Sequence, residues 1–423
     1  MYQSGRLKCE ACDAAELAER FGTPLYLYSW RTIHDHLTRL RAAFAELNPT
    51  ICFAIKCCQN IHILRRIAAF GCGFDVVSGG ELHRALLAGG DPARITFAGV
   101  GKTEAELRAG LAARIGCFVV ESYDEWELLD RLARELGAAA DAVVRINPNV
   151  DAHTHEFTTT GTGRNKFGVT PPEAREMLVA RRGEHAVRLR GVHVHIGSPI
   201  NDLAAYRAGV EAGLELIDAA RAAGAEIDTI DIGGGMGAHY EGDEAPQASE
   251  YAAAVTQQIR ARGLRVILEP GRSIAANVGV LLTRVVRTKR QADRRFVIVD
   301  ASMNELIRPA LYGAYHFVWP VVCGARTPAT RHARQPFDDL VAADVVGPVC
   351  ESADFLARDR ALPPLATGDL LAVFSAGAYA MTMASQYNSR PRPAEVLVDG
   401  ERAVLIRRRE TYDDLIAAER VDD

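Results

Sequence analysis

Val192-His193-Val194-His195-Ile196-Gly197-Ser198 reads as a short buried strand running into a turn. β-Branched residues and imidazoles fill it, and glycine and serine close it. Alternate side chains of a strand share a face, so His193 and His195 point the same way. Such an end either ligates a metal or offers a flat ring and a hydroxyl to a ligand. What the other strands bring to the same end decides between the two.

Working outward, seven more runs of this kind occur, at 51–56, 74–78, 95–98, 117–121, 142–146, 229–232 and 265–268. Amphipathic helical patterns separate them, near 61–70, 79–89, 103–112, 123–137, 171–182, 203–223 and 248–262. A further helix near 33–47 precedes the first strand and takes the place of the one missing after the eighth. Strands alternating with helices call for a parallel sheet, and eight of them predict closure into a TIM-like (β/α)8 barrel over 30–275. An open, doubly wound sheet is the alternative on pattern alone. After about residue 275 the texture changes. Short strands at 278–286, 295–299, 339–346, 370–374, 394–398 and 403–406 are separated by Gly, Pro and Asp, which predicts a mostly β domain of residues 1–29 and 276–423. A strand at 24–28 is expected to pair into it.

The chain has 423 residues, 48% of them hydrophobic and 24% charged, as in globular proteins, and a length that favours two domains. Its net charge of -5 leaves no basic footprint for nucleic acid or anionic membrane, so the expected partner is a small molecule or a protein. No run of about eighteen apolar residues occurs, and Met1–Gly5 lacks a basic and then apolar leader, so a cytoplasmic location is expected. Nine cysteines without paired spacing read as reduced thiols. Cys9-x-x-Cys12 is the one zinc-like pair, and it has no second pair to complete a site.

In a barrel of this kind chemistry collects at the carboxyl ends of the strands. Strand one ends in Lys56 after Phe53-Ala54-Ile55. An amine emerging from an apolar strand is partly desolvated, which lowers its pKa as a Schiff-base lysine requires, although a lone lysine can simply snorkel from a strand end. Strand two runs through Asp75 to Ser78-Gly79-Gly80-Glu81. Strand seven ends in Asp231-Ile232-Gly233-Gly234-Gly235, whose amides suit a phosphate, and the bland reading is a tight turn. Strand eight ends in Glu269-Pro270-Gly271-Arg272, either an internal ion pair or a carboxylate for a ring nitrogen beside a guanidinium for an anion. A lysine, a glycine turn with Ser198, a flat His195 and a glutamate together describe a pyridoxal phosphate site. A metal centre is the competing reading of His193 and His195, with His153 and His155 as further ligands. Metal-dependent barrel hydrolases, however, usually carry His-x-His on the first strand, not the sixth. His193 is better read as a hydrogen-bonded supporting residue, and no metal is expected.

These residues resemble the fold-type III pyridoxal phosphate decarboxylases. The motifs are Phe53-Ala54-Ile55-Lys56, the 73–81 segment, His193–Ser198, Asp231–Gly235 and Glu269–Arg272. In the second half, the 303–312 segment, Gly347-Pro348-Val349-Cys350-Glu351-Ser352 and Gly377-Ala378-Tyr379 are similar to the diaminopimelate decarboxylases within that group. The resemblance covers nearly the whole chain in family order.

It implies a carboxy-lyase that converts meso-2,6-diaminopimelate to L-lysine and CO2, the last step of lysine biosynthesis. The alternative is a paralogue acting on lysine, ornithine or a carboxylated polyamine. It also implies roles. Lys56 links the cofactor, Asp75 lies in its site, His195 stacks on its ring, and Glu269 pairs with its nitrogen. Ser198, Gly234, Gly235 and Tyr379 hold the phosphate, with Tyr379 also near the substrate. Arg272, Arg308 and Tyr312 bind substrate carboxylate. In a homodimer with shared active sites, Cys350 of the partner subunit lies near the reacting carbon, and Glu351 of the partner subunit meets the distal amino group. The chain departs from the family pattern at Cys57-Cys58 and at Pro199, both close to the cofactor.

Overall fold

The computed structural model describes residues 1–150, 165–180, 185–242 and 245–421. His153, His155 and most of the 148–170 loop therefore lie outside the described residues. The chain divides into two compact units, one of Met1–Asp35, Ala238–Glu244 and Ile274–Asp423, the other of His36–Gly237 and Ala245–Ser273.

The second unit is a closed barrel of eight parallel strands, as the alternating pattern predicts, and not an open sheet. In chain order the strands are Thr50–Ala54, Gly73–Val76, Ile95–Phe97, Cys117–Val120, Ala140–Ile146, Val187–Val194, Thr229–Asp231 and Arg265–Leu268. Closure occurs where strand eight meets strand one, with Ile267 opposite Thr50 and Leu268 opposite Ile51. Inside, Ala98, Cys117, Val119 and Val143 form an apolar layer against which Ile267 packs. Such a layer makes the barrel a packed core and not a pore.

Helices begin where the sequence supplies caps. Ser78 accepts from the Glu81 amide, Ser122 from the Glu125 amide, and Asp202 from the amides of Ala204 and Ala205. Thr103 and Glu106 form a reciprocal capping box. The longest of these helices, Leu203–Ala222, lies directly on strand six. A Cβ on Gly213 would come within 2.7 Å of Val194, and one on Gly209 within 2.9 Å of Ile196. Small residues on that face let the helix backbone seat the strand that carries His193 and leads into His195.

The first unit is mostly β. Leu25–Ser29 is inserted between Gly279–Gln291, its antiparallel neighbour, and Ala394–Asp399, its parallel one. The sheet extends through Arg294–Val299, Val341–Val346 and Phe355–Leu362 on one side and Arg402–Arg407 on the other. Tyr26 and Tyr28 are fully buried in it and stack with ring centroids 6.0 Å apart. Each large side chain buried in this way contributes about 2 kcal/mol.

One local expectation is corrected. Strand one stops at Ala54, and Lys56 sits in a 3-10 turn, Ile55–Cys57, closed by the Cys58 amide on the Ile55 carbonyl. The zinc-like Cys9-x-x-Cys12 is a hairpin in which the two cysteines are register partners. Glu10 takes the left-handed conformation the turn needs, at φ 52°. Burial pushes the Cys9 thiol up to about 12, which makes it inert. All nine cysteines are free thiols.

Candidate active site

Strand geometry brings eight of the expected residues to one mouth of the barrel. Lys56 follows strand one, Asp75 lies in strand two, His195 and Ser198 follow strand six, Gly234 and Gly235 follow strand seven, and Glu269 and Arg272 follow strand eight. The Lys56 ammonium contacts the Asp75 carboxylate, and while the lysine side chain is 39% exposed its partner is fully buried. Burial first, and then the charge of Glu269, push the Asp75 carboxyl up, against the pull of Lys56. The other oxygen of Asp75, Oδ1, is buried without a donor among the described residues.

Glu269 is buried, and its Oε2 lies 3.1 Å from His193 Nε2. Since Nδ1 of His193 has no partner among the described residues, the ring proton belongs on Nε2, where it donates to the carboxylate. The Thr96 hydroxyl donates to Oε1 at 3.3 Å. Burial alone works against the charge of Glu269, but the hydrogen bond from His193 and the charge of Lys56 outweigh it and hold the carboxyl well below its ordinary range. Glu269 is therefore an oriented anion.

His195 is half-buried, and its ring lies 6.5 Å from that of His193 at an interplanar angle of 19°. Burial, then the charges of Arg145 and Lys56, push its pKa well down, so the ring is neutral. The Gly234 amide donates to its Nδ1 at 3.3 Å, which leaves the ring proton on Nε2. The glycine turn is tight for steric reasons. Gly235 has φ +83°, and a Cβ on Gly234 would strike the Glu269 carbonyl at 2.1 Å. Arg272 Nε donates to the Ser198 hydroxyl at 3.0 Å, so a guanidinium and a hydroxyl present themselves together.

The remaining expected residues belong to the β-rich unit. Arg308 is buried at the start of the short helix Arg308–Tyr312. Its Nη1 lies 3.2 Å from His316 Nε2, and its guanidinium covers the Tyr240 ring at 4.8 Å. Tyr379 is held in the left-handed region, at φ 53°, a costly conformation for an aromatic residue and one that clusters at functional sites. Cys350 and Glu351 are exposed. The Cys350 amide donates to Asn388 Oδ1 at 3.0 Å, and the Tyr387 hydroxyl donates to Glu351 at 2.7 Å.

The donor set fits pyridoxal phosphate: an amine beside a carboxylate, an anionic Glu269, a neutral flat imidazole, and a hydroxyl–guanidinium pair beside a glycine turn. Comparison with known proteins agrees. Residues 30–276 match the family model of the pyridoxal-dependent decarboxylases, pyridoxal binding domain. The chain is 46% identical over 419 residues to diaminopimelate decarboxylase of Pseudomonas aeruginosa, covering 99% of this chain and 98% of that one. The chain belongs to the diaminopimelate decarboxylases. The relative from Neisseria meningitidis serogroup A is 44% identical over 98% of both chains. The crystal structure of diaminopimelate decarboxylase from Helicobacter pylori complexed with L-lysine superposes with a TM-score of 0.89 at 38% identity, covering 96% of this chain and 98% of that one. As in the rest of the family, the cofactor is pyridoxal phosphate.

Three buried residues at this mouth had no place in the sequence reading of the site. Arg145 pairs with Glu121 at 3.0 Å, and Glu121 also accepts from the amides of Gly99 and Gly168. Asp231, which reads in the sequence only as the flank of a glycine turn, is fully buried beside Glu269 and His193. A polar residue at the inward register of a barrel strand was the available signal.

Proposed function

We propose that this chain decarboxylates meso-2,6-diaminopimelate to L-lysine and CO2, as a cytoplasmic homodimer with shared active sites. The observation that carries the reading is the pairing of Lys56–Asp75 with an ionised Glu269 at one barrel mouth. It occurs in a chain that matches diaminopimelate decarboxylases from end to end.

Pyridoxal phosphate, when bound, supplies the electron sink that accepts the electron pair left on Cα as CO2 departs. The chain's own residues prepare for that. Asp75 receives the ammonium charge of Lys56 and fixes the direction of its amine. Glu269 would accept the hydrogen bond of the cofactor's ring N–H, its negative charge keeping that proton in place. Neutral His195 offers a flat face without adding positive charge beside the ring. Ser198, Arg272 and the amides near Gly234 and Gly235 bind oxyanions, with Tyr379 completing the phosphate site. Arg272, Arg308 and Tyr312 hold substrate carboxylate. Cys350 of the partner subunit delivers a proton to Cα, and Glu351 of the partner subunit meets the distal ammonium group.

Borohydride reduction of the purified enzyme should fix a pyridoxyl group on Lys56, located by peptide mapping, and Lys56→Ala should abolish both the label and CO2 release. In a panel of diaminopimelate stereoisomers, lysine, ornithine and carboxynorspermidine, the meso isomer should be the preferred source of CO2. Turnover of ornithine or lysine without turnover of diaminopimelate would overturn the substrate assignment.

A further inference from the structure

Asp231 closes strand seven, opposite His193 on strand six and Ile267 on strand eight. Glu269 lies two residues beyond Ile267 and so shares its face. One side-chain atom from each of His193, Asp231 and Glu269 falls within 4.8 Å of the others, and Asp231 is fully buried. Its Oδ1 accepts from the Gly233 amide at 2.8 Å, whereas its Oδ2 is buried with no donor among the described residues.

An ionised carboxylate only accepts, so Oδ2 as an anion would be an unsatisfied buried charge beside a second one. The groups around it offer no relief. Glu269 and Asp75 are acids, and His193 already directs its Nε2 proton to Glu269. Lys56 is engaged by Asp75. The neighbouring thiols of Cys52 and Cys117 donate to the carbonyls of Arg94 and Phe118, and the Tyr206 hydroxyl makes no hydrogen bond to Oδ2. A proton on Oδ2 resolves the arrangement by turning an orphaned acceptor into a donor with Glu269 in reach.

We infer that Asp231 is kept as a neutral carboxylic acid inside the barrel and donates a hydrogen bond to Glu269, acting as a positioning residue that holds Glu269 as an oriented anion. The direction of the two titrations agrees. Burial, then the charge of Glu269, push Asp231 well above the usual carboxylate range, while Glu269 is held below it. Two neighbouring carboxyls whose surroundings drive them apart share one proton unequally. With that proton on Asp231, Glu269 is left to accept from a ring nitrogen instead of taking its proton. This last step rests on the role proposed for Glu269, but the protonation of Asp231 does not.

The test compares wild type with Asp231→Asn, which keeps an acceptor for Gly233 and a donor for Glu269, and with Asp231→Leu, which keeps neither. A buried acid with a raised folded pKa binds its proton more tightly folded than unfolded. It therefore costs stability as pH rises through the unfolded value of about 4, until the folded value is passed. In the full-length, cofactor-stripped chain, the melting temperature of Asp231→Asn should equal or exceed that of wild type at about pH 8, with the advantage shrinking toward about pH 5. Groups not coupled to Asp231 are common to both chains and cancel in the difference, and Glu269, held below this pH range, adds no slope of its own. Affinity for pyridoxal phosphate, followed by the visible band, should stay within about threefold for Asp231→Asn and weaken by about tenfold or more for Asp231→Leu. An Asp231→Asn chain less stable than wild type at about pH 8 would show that Asp231 acts as a charge and overturn the inference. Stoichiometric divalent metal in the wild-type chain, lost in the variant, would overturn it as well. The expected pH–stability difference with no visible band in any of the three chains would instead remove the cofactor role of Glu269 and leave the protonation of Asp231 standing.

Discussion

At Glu269 burial and hydrogen bonding pull in opposite directions, and the hydrogen bonds win. His193 Nε2 at 3.1 Å and the Thr96 hydroxyl at 3.3 Å give the carboxylate donors that the barrel interior otherwise denies it. Glu269→Gln keeps the shape and an acceptor for His193 but removes the charge. Its fold and melting temperature should stay near those of wild type. Its kcat should fall by about a hundredfold, because a neutral amide cannot hold a proton on the ring nitrogen. A variant with near-normal kcat would mean that ring protonation does not limit the reaction. His195 is the complementary case, since burial and the charges of Arg145 and Lys56 keep its ring neutral at the same mouth.

At the scale of elements, the turn after strand seven carries the tightest packing in the site. In Gly234→Ala the new Cβ meets the Glu269 carbonyl at 2.1 Å, so the turn must move away from strand eight. Overpacking of this kind costs about 1–3 kcal/mol. The cost should appear as a cofactor affinity weaker by about tenfold or more in an absorbance titration, with the far-ultraviolet circular dichroism unchanged. Most of this architecture is legible in the sequence because buried parallel strands read as short apolar runs, and the residues that follow them converge whatever the details of closure. Reading Lys56 as the end of strand one misses only the 3-10 turn, which a hydrogen bond from Cys58 to Ile55 defines and no side-chain pattern announces. The N-terminal hairpin of Cys9 and Cys12 is hidden for a different reason, since its second strand is two residues long. Asp231 and the Glu121–Arg145 pair are illegible because their meaning depends on which strands become neighbours and which side chains face inward.

At the scale of the whole molecule, sharing of active sites between subunits is a proposal with a sharp consequence. Cys350 and Glu351 are exposed, yet they are fixed from the following segment, Asn388 taking the Cys350 amide and Tyr387 donating to Glu351. Order at an exposed thiol and carboxylate is what a surface shaped to meet another chain requires. Lys56→Ala and Cys350→Ala chains should each lose most activity alone. When they are unfolded together and refolded, or co-expressed, random pairing puts half of the dimers in the mixed form. If Cys350 of the partner subunit serves the site built on Lys56, each mixed dimer holds one site with both residues intact and one with neither, so about a quarter of wild-type activity returns. If Cys350 instead serves the Lys56 of its own chain, every site in every dimer lacks one of the two residues, and mixing restores nothing. Two different affinity tags on the two chains, purified in tandem, confirm that mixed dimers have formed, so the absence of recovered activity would count against shared sites and not against assembly.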